Sequence, residues 1–567
     1  MINEQLESII EDALKSLNLV TSSIKVSTSA RPDLCDYQCN DLFKIAKTNN
    51  LNIEQLGHSL VTKLKKTANY DDYFSEIEFV RPGFLNITIS STLINNTIKA
   101  MVNQGHFGIK QASPIETFVI DYGGPNVAKP LHVGHMRTAI VGESIKRIIN
   151  YKGHKTIGDI HLGDYGLQIG QVIYGILSEE KTIDDINISY LDYIYPKMST
   201  LCKESEEIKE KCAEITKKLQ EKDPTYTLFW KKIMEVSCAD MKKNYDFLNV
   251  NFDYWYGESD AYNYLERTKT ILESKKLLKE DDGALIVDVK LPTDNKEIPP
   301  FIFQKSNGAY LYESTDLATI LQRKQDFNPD HILYVVDNRQ ELHFERVFRT
   351  SALSEIMSKD KLEFLGYGTV NGEDGKPYKT RSGKTPKLEG LFSEVRDIFI
   401  NKKETNKDMS ALDIDKIVNS ILKFADLQNS RDRDYVFDIS KFSDVVGKTG
   451  PYILYTYLRL NKITNNQSIN INCLTNNIYN NFDRQLRLKM LELPLVYEKA
   501  FSNRMPHFIA DYLYELCVLT NSFYQQNHVN SENNVIKVND WLNIIRVTEN
   551  IIKTMLNLLG IEIPTKM

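Results

Sequence analysis

No stretch of this 567-residue chain approaches the roughly 18 consecutive apolar residues that a membrane-spanning helix needs, so no membrane partner is expected. Paired CxxC knuckles are missing too. The seven cysteines (Cys35, Cys39, Cys202, Cys212, Cys238, Cys473 and Cys517) are odd in number and scattered, which argues against a disulfide framework and fits a reducing, cytoplasmic setting. There is no excess of positive charge: the formal net charge is -6, so any nucleic-acid contact must use local basic patches. The N-terminus lacks the character of a signal or transit peptide. Glu4, Glu7, Glu11 and Asp12 are interleaved with periodic apolar residues there, as in an amphipathic helix. Repeats of 20 to 50 residues are also absent.

What is present is an ordinary globular balance, 42% hydrophobic and 26% charged, over a length that statistics of domain size divide into roughly three or four cores. Residues 1 to about 112 open on the amphipathic helix and close on "EIEFVRPGFLNITIS", where Ile87 and Ile89 alternate with polar neighbours after a Pro82-Gly83 turn; this reads as an α+β module. "IETFVIDY" is a short apolar strand followed by a Gly123-Gly124-Pro125 turn. From Gly134 the positions Met136, Ile140, Val141, Ile145, Ile148 and Ile149 keep a helical period, Gly153 fits the helix end, and "KTIGDIHLG" reads as a second strand. A βαβ unit of this length implies a parallel sheet with ligands at the carboxyl ends of its strands. Residues 201 to 222 read as one solvated, charge-laced helix, with Glu207 and Glu214 four positions before Lys211 and Lys218. "GALIVDVKL", "PPFIFQK", "GAYLYES" and "HILYVVD" between 283 and 336 read as strands completing the sheet. Beyond residue 410 the chain is helical, with Asn-rich breaks.

The chemistry concentrates in "KPLHVGHMRTAI", residues 129 to 140. Zinc would require more than histidines: there is no HExxH and no nearby cysteine, so no metal site is expected. Two imidazoles beside Gly134 at a strand-to-helix junction suit a phosphate instead. Unpaired helix N–H groups, imidazole donors and the Lys129 charge can stabilise charge building on phosphorus oxygens, and Gly134 leaves room for a ribose or base. Neither GxxxxGK[ST] nor GxGxxG occurs here, which disfavours P-loop and dinucleotide readings.

"GPNVAKPLHVGH" resembles the HIGH motif of class I aminoacyl-tRNA synthetases, and its flanks are similar to the arginyl-tRNA synthetases. The order of the remaining segments carries the resemblance along the whole chain: "GDYGLQIG", "YLYESTDLATI", "YVVDNRQELHF", "DGKPYKTRSGKTPKL", "FADLQNSRDRDYVFD", "GPYILYTYLR" and the terminal "LGIEIPTKM", with "DYQCN" and "PGFLN" near the N-terminus. The resemblance implies an α/β enzyme. Residues 1–112 would form an additional tRNA-contacting domain and 113–395 a Rossmann-like catalytic domain with an insertion at about 175–280. Residues 396–447 would be a helical linker, and 448–567 an all-helical anticodon-binding domain.

By the same resemblance, His132, Gly134 and His135 would bind ATP, with His135 also near the amino acid. The second phosphate-binding loop, KMSKS in other class I enzymes, corresponds to "KPYKTRSGK" and offers Lys376, Lys379, Arg381 and Lys384. It departs from the usual letters, and Lys129 just before the HIGH segment would compensate, with Lys379 the other catalytic candidate. Asp316 matches the family's substrate aspartate, where a carboxylate can pair two-pronged with the guanidinium fork. Tyr312 and Gln340 match its other side-chain contacts, and Gly124, Pro125 and Asn126 match the segment holding the amino and carboxylate end. Relatives often carry serine at Gly123 or Gly124. Taken alone, Asp316 reads more readily as a helix cap and Tyr312 as a packing residue.

Tyr452 and Arg459 are the tRNA candidates, since Ile453, Tyr457 and Leu460 trace a core-facing stripe on the same helix. The implied activity is ligation of L-arginine to tRNA at the expense of ATP, with Mg²⁺ accompanying the nucleotide, by a cytoplasmic monomer. A class I synthetase for another amino acid, a nucleotidyltransferase of the same fold and a non-catalytic tRNA-binding relative are the alternatives.

Overall fold

The computed structural model describes residues 2–20, 23–378, 387–402, 409–464 and 468–567. Two compact units emerge: Met1–Lys110 with Thr456–Lys499 and Asp511–Thr554, and Gln111–Tyr455 with Ala500–Ala510 and Met555–Met567.

In the first unit, strands Val26–Thr28, Tyr37–Cys39, Phe84–Ile89 and Phe74–Val80 form an antiparallel sheet in that spatial order. Leu85, Ile87 and Ile89 are buried, as their alternation predicts. The N-terminal helix, Ile2–Ser16, buries Ile2, Leu6, Ile10, Ala13 and Leu14, its expected apolar stripe. Among the helices, fully buried Arg487 is neutralised by Asp483 and Asp540 and donates to Asn95.

The second unit is built on β1 (Thr117–Asp121), α1 (Val133–Tyr151), β2 (Lys155–Leu162), α2 (Leu167–Ser178), β3 (Tyr254–Gly257), α3 (Tyr312–Phe327), β4 (His331–Tyr334), α4 (Glu341–Leu353) and β5 (Leu362–Phe364). The strands are all parallel, in the order β5-β4-β1-β2-β3. β1 is buried along nearly its whole length, which is why it reads as a continuous apolar run. α1 lies close against the segment after β1. A Cβ on Gly142 would stand 2.3 Å from the Tyr122 ring, and the Tyr122 hydroxyl donates to Glu143 at 2.8 Å. The order reverses around β1, with β2 on one side and β4 on the other, and this opens a crevice at the carboxyl ends of the strands.

Of the strand runs between 283 and 336, "HILYVVD" joins this sheet as β4, but the earlier ones do not. Strands Leu278–Asp281, Ala284–Val287 and Phe301–Gln304 form a separate antiparallel sheet. The reason is local: Asp282 and Gly283 both have positive φ, the geometry of a two-residue hairpin, whereas joining a parallel sheet needs a crossover of a dozen residues or more. "GAYLYES" is not a strand. Only Tyr310 bridges to Gln304; the Leu311 N–H then donates to Ser314 Oγ at 3.2 Å and α3 begins at Tyr312.

The single helix expected over 201–222 is two helices, Ile188–Glu204 and Glu206–Gln220. Ser205 is extended and caps the second by accepting the Ile208 N–H at 3.3 Å. The second is not wholly solvated either. Its ion pairs Glu207–Lys211 and Glu214–Lys218 face water, while Cys212, Ile215, Thr216 and Leu219 are buried. β3 lies inside the stretch expected to be inserted.

Candidate active site

A cleft of about 670 Å³ opens at the carboxyl ends of the parallel strands, and every strand contributes to it. Asp121 ends β1 and the Gly123–Asn126 turn follows it; His161 lies near the end of β2 and Gly163 follows it; Glu258 follows β3; Val335 to Asp337 follow β4; Tyr367 follows β5. Helices add the rest: Lys129, His132, Gly134 and His135 at the start of α1, Tyr312 and Asp316 on α3, and Arg339, Gln340 and His343 around the start of α4.

His132 is the N-cap of α1. Its Nδ1 accepts the Gly134 N–H at 3.1 Å, and His135 Nδ1 accepts the His132 N–H at 3.1 Å. With both Nδ1 atoms acting as acceptors, each ring carries its proton on Nε2, so each imidazole is a neutral N–H donor. The rings lie 3.8 Å apart between centroids. Burial, and then the charge of Lys129, hold His132 below its ordinary pKa. Burial, then His132 and Lys129, hold His135 well below it. Gly134 does not leave an open space: a Cβ there would meet the His132 ring at 2.8 Å, so the glycine makes room for the imidazole. Lys129, lowered by burial, places its ammonium 5.5 Å from the centroid of the Tyr195 ring. It follows Ala128, which is held at φ +67.

The turn after β1 is held by the Gly163 N–H donating to the Pro125 carbonyl and the Val127 N–H to the Gly163 carbonyl, both at 3.1 Å. Asp316 lies within α3, whose N-cap is Leu311, so it is not a cap; its Oδ2 is 2.5 Å from His343 Nε2. Tyr312 is 55% exposed on the cleft and is therefore not a packing residue. The carboxyl of Glu258 is pushed up to about 8, by burial first and then by the charges of Asp164 and Asp316. The cleft thus combines neutral N–H donors and a lysine at a helix N-terminus, suited to phosphates, with buried carboxylates suited to a cation.

A family profile described as "tRNA synthetases class I (R), catalytic domain" matches residues 97–439. The chain belongs to the arginyl class I tRNA synthetases. Residues 4–89 match the "Arginyl tRNA synthetase N terminal domain", and residues 453–567 match the "DALR anticodon binding domain". The chain is 40% identical to the arginine–tRNA ligase of Alkaliphilus oremlandii, with 100% of both chains covered. It is 38% identical to that of Agathobacter rectalis, with 96% of both covered. Among solved structures it is similar to the arginyl-tRNA synthetase of Plasmodium falciparum, with TM-score 0.80, 25% identity, and 100% of this chain and 99% of that one covered.

The cleft brings together Gly124, Pro125, Asn126, Lys129, His132, Gly134, His135, Tyr312, Asp316 and Gln340, all named from the sequence as synthetase residues. Lys376 lies outside it, with its N–H donating to Asp374 Oδ1 at 3.1 Å; Lys379, Arg381 and Lys384 fall outside the described residues. Tyr452 and Arg459 do not line the cleft; they are carried on the helix Gly450–Thr464, where Arg459 lies 4.3 Å from the centroid of the Tyr524 ring. Ile453, Tyr457 and Leu460 are buried. Neither Gly123 nor Gly124 has room for a side chain. A Cβ on Gly124 would stand 2.1 Å from the His161 carbonyl oxygen, and Gly123 has φ +75, where a Cβ would stand 2.7 Å from the Phe252 ring.

Sequence reasoning missed His161, Glu258 and His343. Both ring nitrogens of His161 are buried without a hydrogen-bond partner among the described residues. A histidine directly before "LGDYG", at a strand's carboxyl end, was the available signal. Glu258 offered none, because its strand is only four residues long.

Proposed function

We propose that this synthetase activates L-arginine with ATP to arginyl-AMP and then transfers the arginyl group to the 3′-terminal adenosine of tRNA. The observation that carries the reading is the convergence, in one cleft, of the helix-start imidazoles His132 and His135 with Asp316 and Tyr312 on α3. In the first step the arginine carboxylate attacks the α-phosphorus, the bond to the bridging oxygen breaks, and pyrophosphate leaves. The Nε2–H groups of His132 and His135 donate to the phosphate oxygens as charge builds on them, and the Lys129 ammonium adds to this. Asp316 pairs with the guanidinium, Tyr312 and Gln340 flank the substrate, and Gly124, Pro125 and Asn126 receive its amino and carboxylate end. Lys376, Lys379, Arg381 and Lys384 attend the pyrophosphate side. In the second step the 2′-hydroxyl of the terminal adenosine attacks the acyl carbon and AMP departs.

Mg²⁺ bound to ATP would offset phosphate charge. We read the ion as arriving with the nucleotide; among the described residues no group of three or more His, Cys, Asp or Glu is placed to hold a metal. Tyr452 and Arg459 serve tRNA, within the division 1–112, 113–395, 396–447 and 448–567. We read the enzyme as a cytoplasmic monomer; no described helix is long and apolar enough to cross a membrane.

The deciding experiment is ATP–pyrophosphate exchange across the twenty amino acids, with and without tRNA. Exchange with arginine alone, dependent on tRNA, is the expected result. Exchange with a different amino acid would assign another specificity, and tRNA binding without any exchange would leave a non-catalytic relative.

A further inference from the structure

Asp316 does not stand alone on its helix. Glu313 and Asp316 lie three positions apart on α3, and His343 and Arg346 lie three positions apart on α4, so each pair shares one helix face. The two faces interlock. His343 Nε2 lies 2.5 Å from Asp316 Oδ2, and its Nδ1 lies 3.9 Å from Glu313 Oε1. Glu313 forms an ion pair with Arg346 and accepts the Ile302 N–H at 3.1 Å. All four side chains are at least three-quarters buried. The result is a row of alternating charge, Arg346, Glu313, His343 and Asp316, that ends in the cleft with Asp316 and His343.

We infer that His343 is a positioning residue for amino-acid selection, holding the Asp316 carboxylate in the one orientation that offers its two oxygens to a guanidinium fork. The inference rests on the proposed role of Asp316 toward arginine. A carboxylate on a short side chain rotates freely at its last torsion, and a two-pronged pair is lost when its plane turns. His343 fixes that plane from behind. Each carboxylate oxygen accepts two hydrogen bonds, so the bond to Oδ2 leaves the fork unobstructed. Glu313, itself paired with Arg346, acts one step further back by making the imidazolium form favourable next to a cationic substrate. Burial alone would push the imidazole down. The hydrogen bond and charge of Asp316, then the charge of Glu313, outweigh it and raise the group despite Arg346.

The test uses full-length enzyme with tRNA present and measures arginine-dependent ATP–pyrophosphate exchange for wild type, His343→Ala and His343→Gln. Glutamine can place an N–H donor where Nε2 stands. The expected result is a rise of roughly tenfold or more in KM for arginine in His343→Ala, the size that follows from losing a hydrogen bond to a charged group. KM for ATP and the thermal unfolding midpoint should stay close to wild type. Glutamine should recover most of the loss. The inference is overturned if His343→Ala leaves KM for arginine unchanged, or if alanine and glutamine fail alike with a lowered unfolding midpoint, since the residue is then only packing. Wild-type exchange that does not depend on arginine, or an Asp316→Ala enzyme that still uses arginine, overturns the functional reading itself.

Discussion

Nε of Arg323 donates to Oδ2 of Asp159 at 2.8 Å, with both side chains fully removed from solvent. The same guanidinium reaches Asp121 at 2.7 Å, so one residue of α3 ties together β1 and β2 beneath the cleft. Burial, opposed by Arg323, pushes the Asp159 carboxyl up to about 6. Removing the cation leaves two neighbouring buried carboxylates, so Arg323→Met should destabilise the protein by about 3–5 kcal/mol in equilibrium urea unfolding. Lysine should rescue little, because a point charge cannot span two carboxylates. Unpaired carboxylates bind protons more tightly when folded than unfolded. The deficit should therefore shrink as pH falls from 8 toward 5; a deficit independent of pH would mean that packing, not charge, is lost.

The helix-start histidines divide their work between two nitrogens. At position 135, asparagine can retain an acceptor for the His132 N–H but not a donor at Nε2, and glutamine does the reverse. His135→Asn should therefore keep wild-type stability while losing about 10² to 10³ in the rate of adenylate formation, the usual consequence of deleting one preorganised donor. Because both imidazoles are held below their ordinary pKa, the wild-type rate should not fall through their protonation between pH 8 and 6.5. Exchange rates at saturating ATP over that range are the check.

How far the sequence could be read follows from which interactions are local. The unit from β1 through α1 to β2 is legible because an apolar run, a glycine turn and a 3.6-residue period all lie within about 45 residues. The hairpin at Asp282-Gly283 was equally local, and it was passed over because the strand runs around it were assigned to the large sheet. β3 and β5 have four and three residues and gain strand character only through distant neighbours, β3 by pairing with Asp159 to Leu162. Site residues follow the same rule. The start of α1 could be derived from helix-end physics, whereas Asp316 was recognised through family resemblance, because nothing within ten positions of it marks a carboxylate as a ligand. His343 and Glu258 become visible only when the ends of different strands converge.

Glu258 gives a pH dependence to substrate binding. Its carboxyl sits at about 8 through burial and the charges of Asp164 and Asp316, so the ligand-free enzyme holds it protonated at pH 7. A guanidinium entering the cleft favours the ionised form. Arginine binding should therefore release a proton near pH 7, and affinity should increase as pH rises toward 9. Calorimetric titration in buffers of different ionisation enthalpy reads the proton directly, and Glu258→Gln should abolish it. The linkage with folding has the opposite slope. The folded chain binds this proton more tightly than the unfolded chain, so its contribution to stability is full below pH of about 4.3 and is lost as pH rises through about 8.

Lys423 carries the reverse case. It is fully buried on the helix Ala411–Leu427, and its Nζ donates to the Gly560 carbonyl at 2.9 Å. Gly560 follows the helix Val535–Leu558 at φ +66, and a Cβ there would stand 2.5 Å from that nitrogen, so the terminal "LGIEIPTKM" turns its carbonyl onto the amine only through a glycine. Burial, followed by the charge of Arg147 and opposed by Glu143 and Glu562, brings the amine down to about 7. An unfolded lysine keeps its proton to a pH of about 10.4. Between these values the unfolded chain binds more protons, so this residue's contribution to stability grows with pH, by at most about 1.4 kcal/mol per unit, and is lost as pH falls through 7. Other groups titrate in the same window and are shared with a Lys423→Met variant, so the difference between the two proteins isolates the amine. Urea midpoints at pH 7, 8 and 9 should diverge steadily in favour of wild type. Parallel midpoints would mean that Lys423 stays charged inside the fold and that its bond to Gly560 is an ammonium contact.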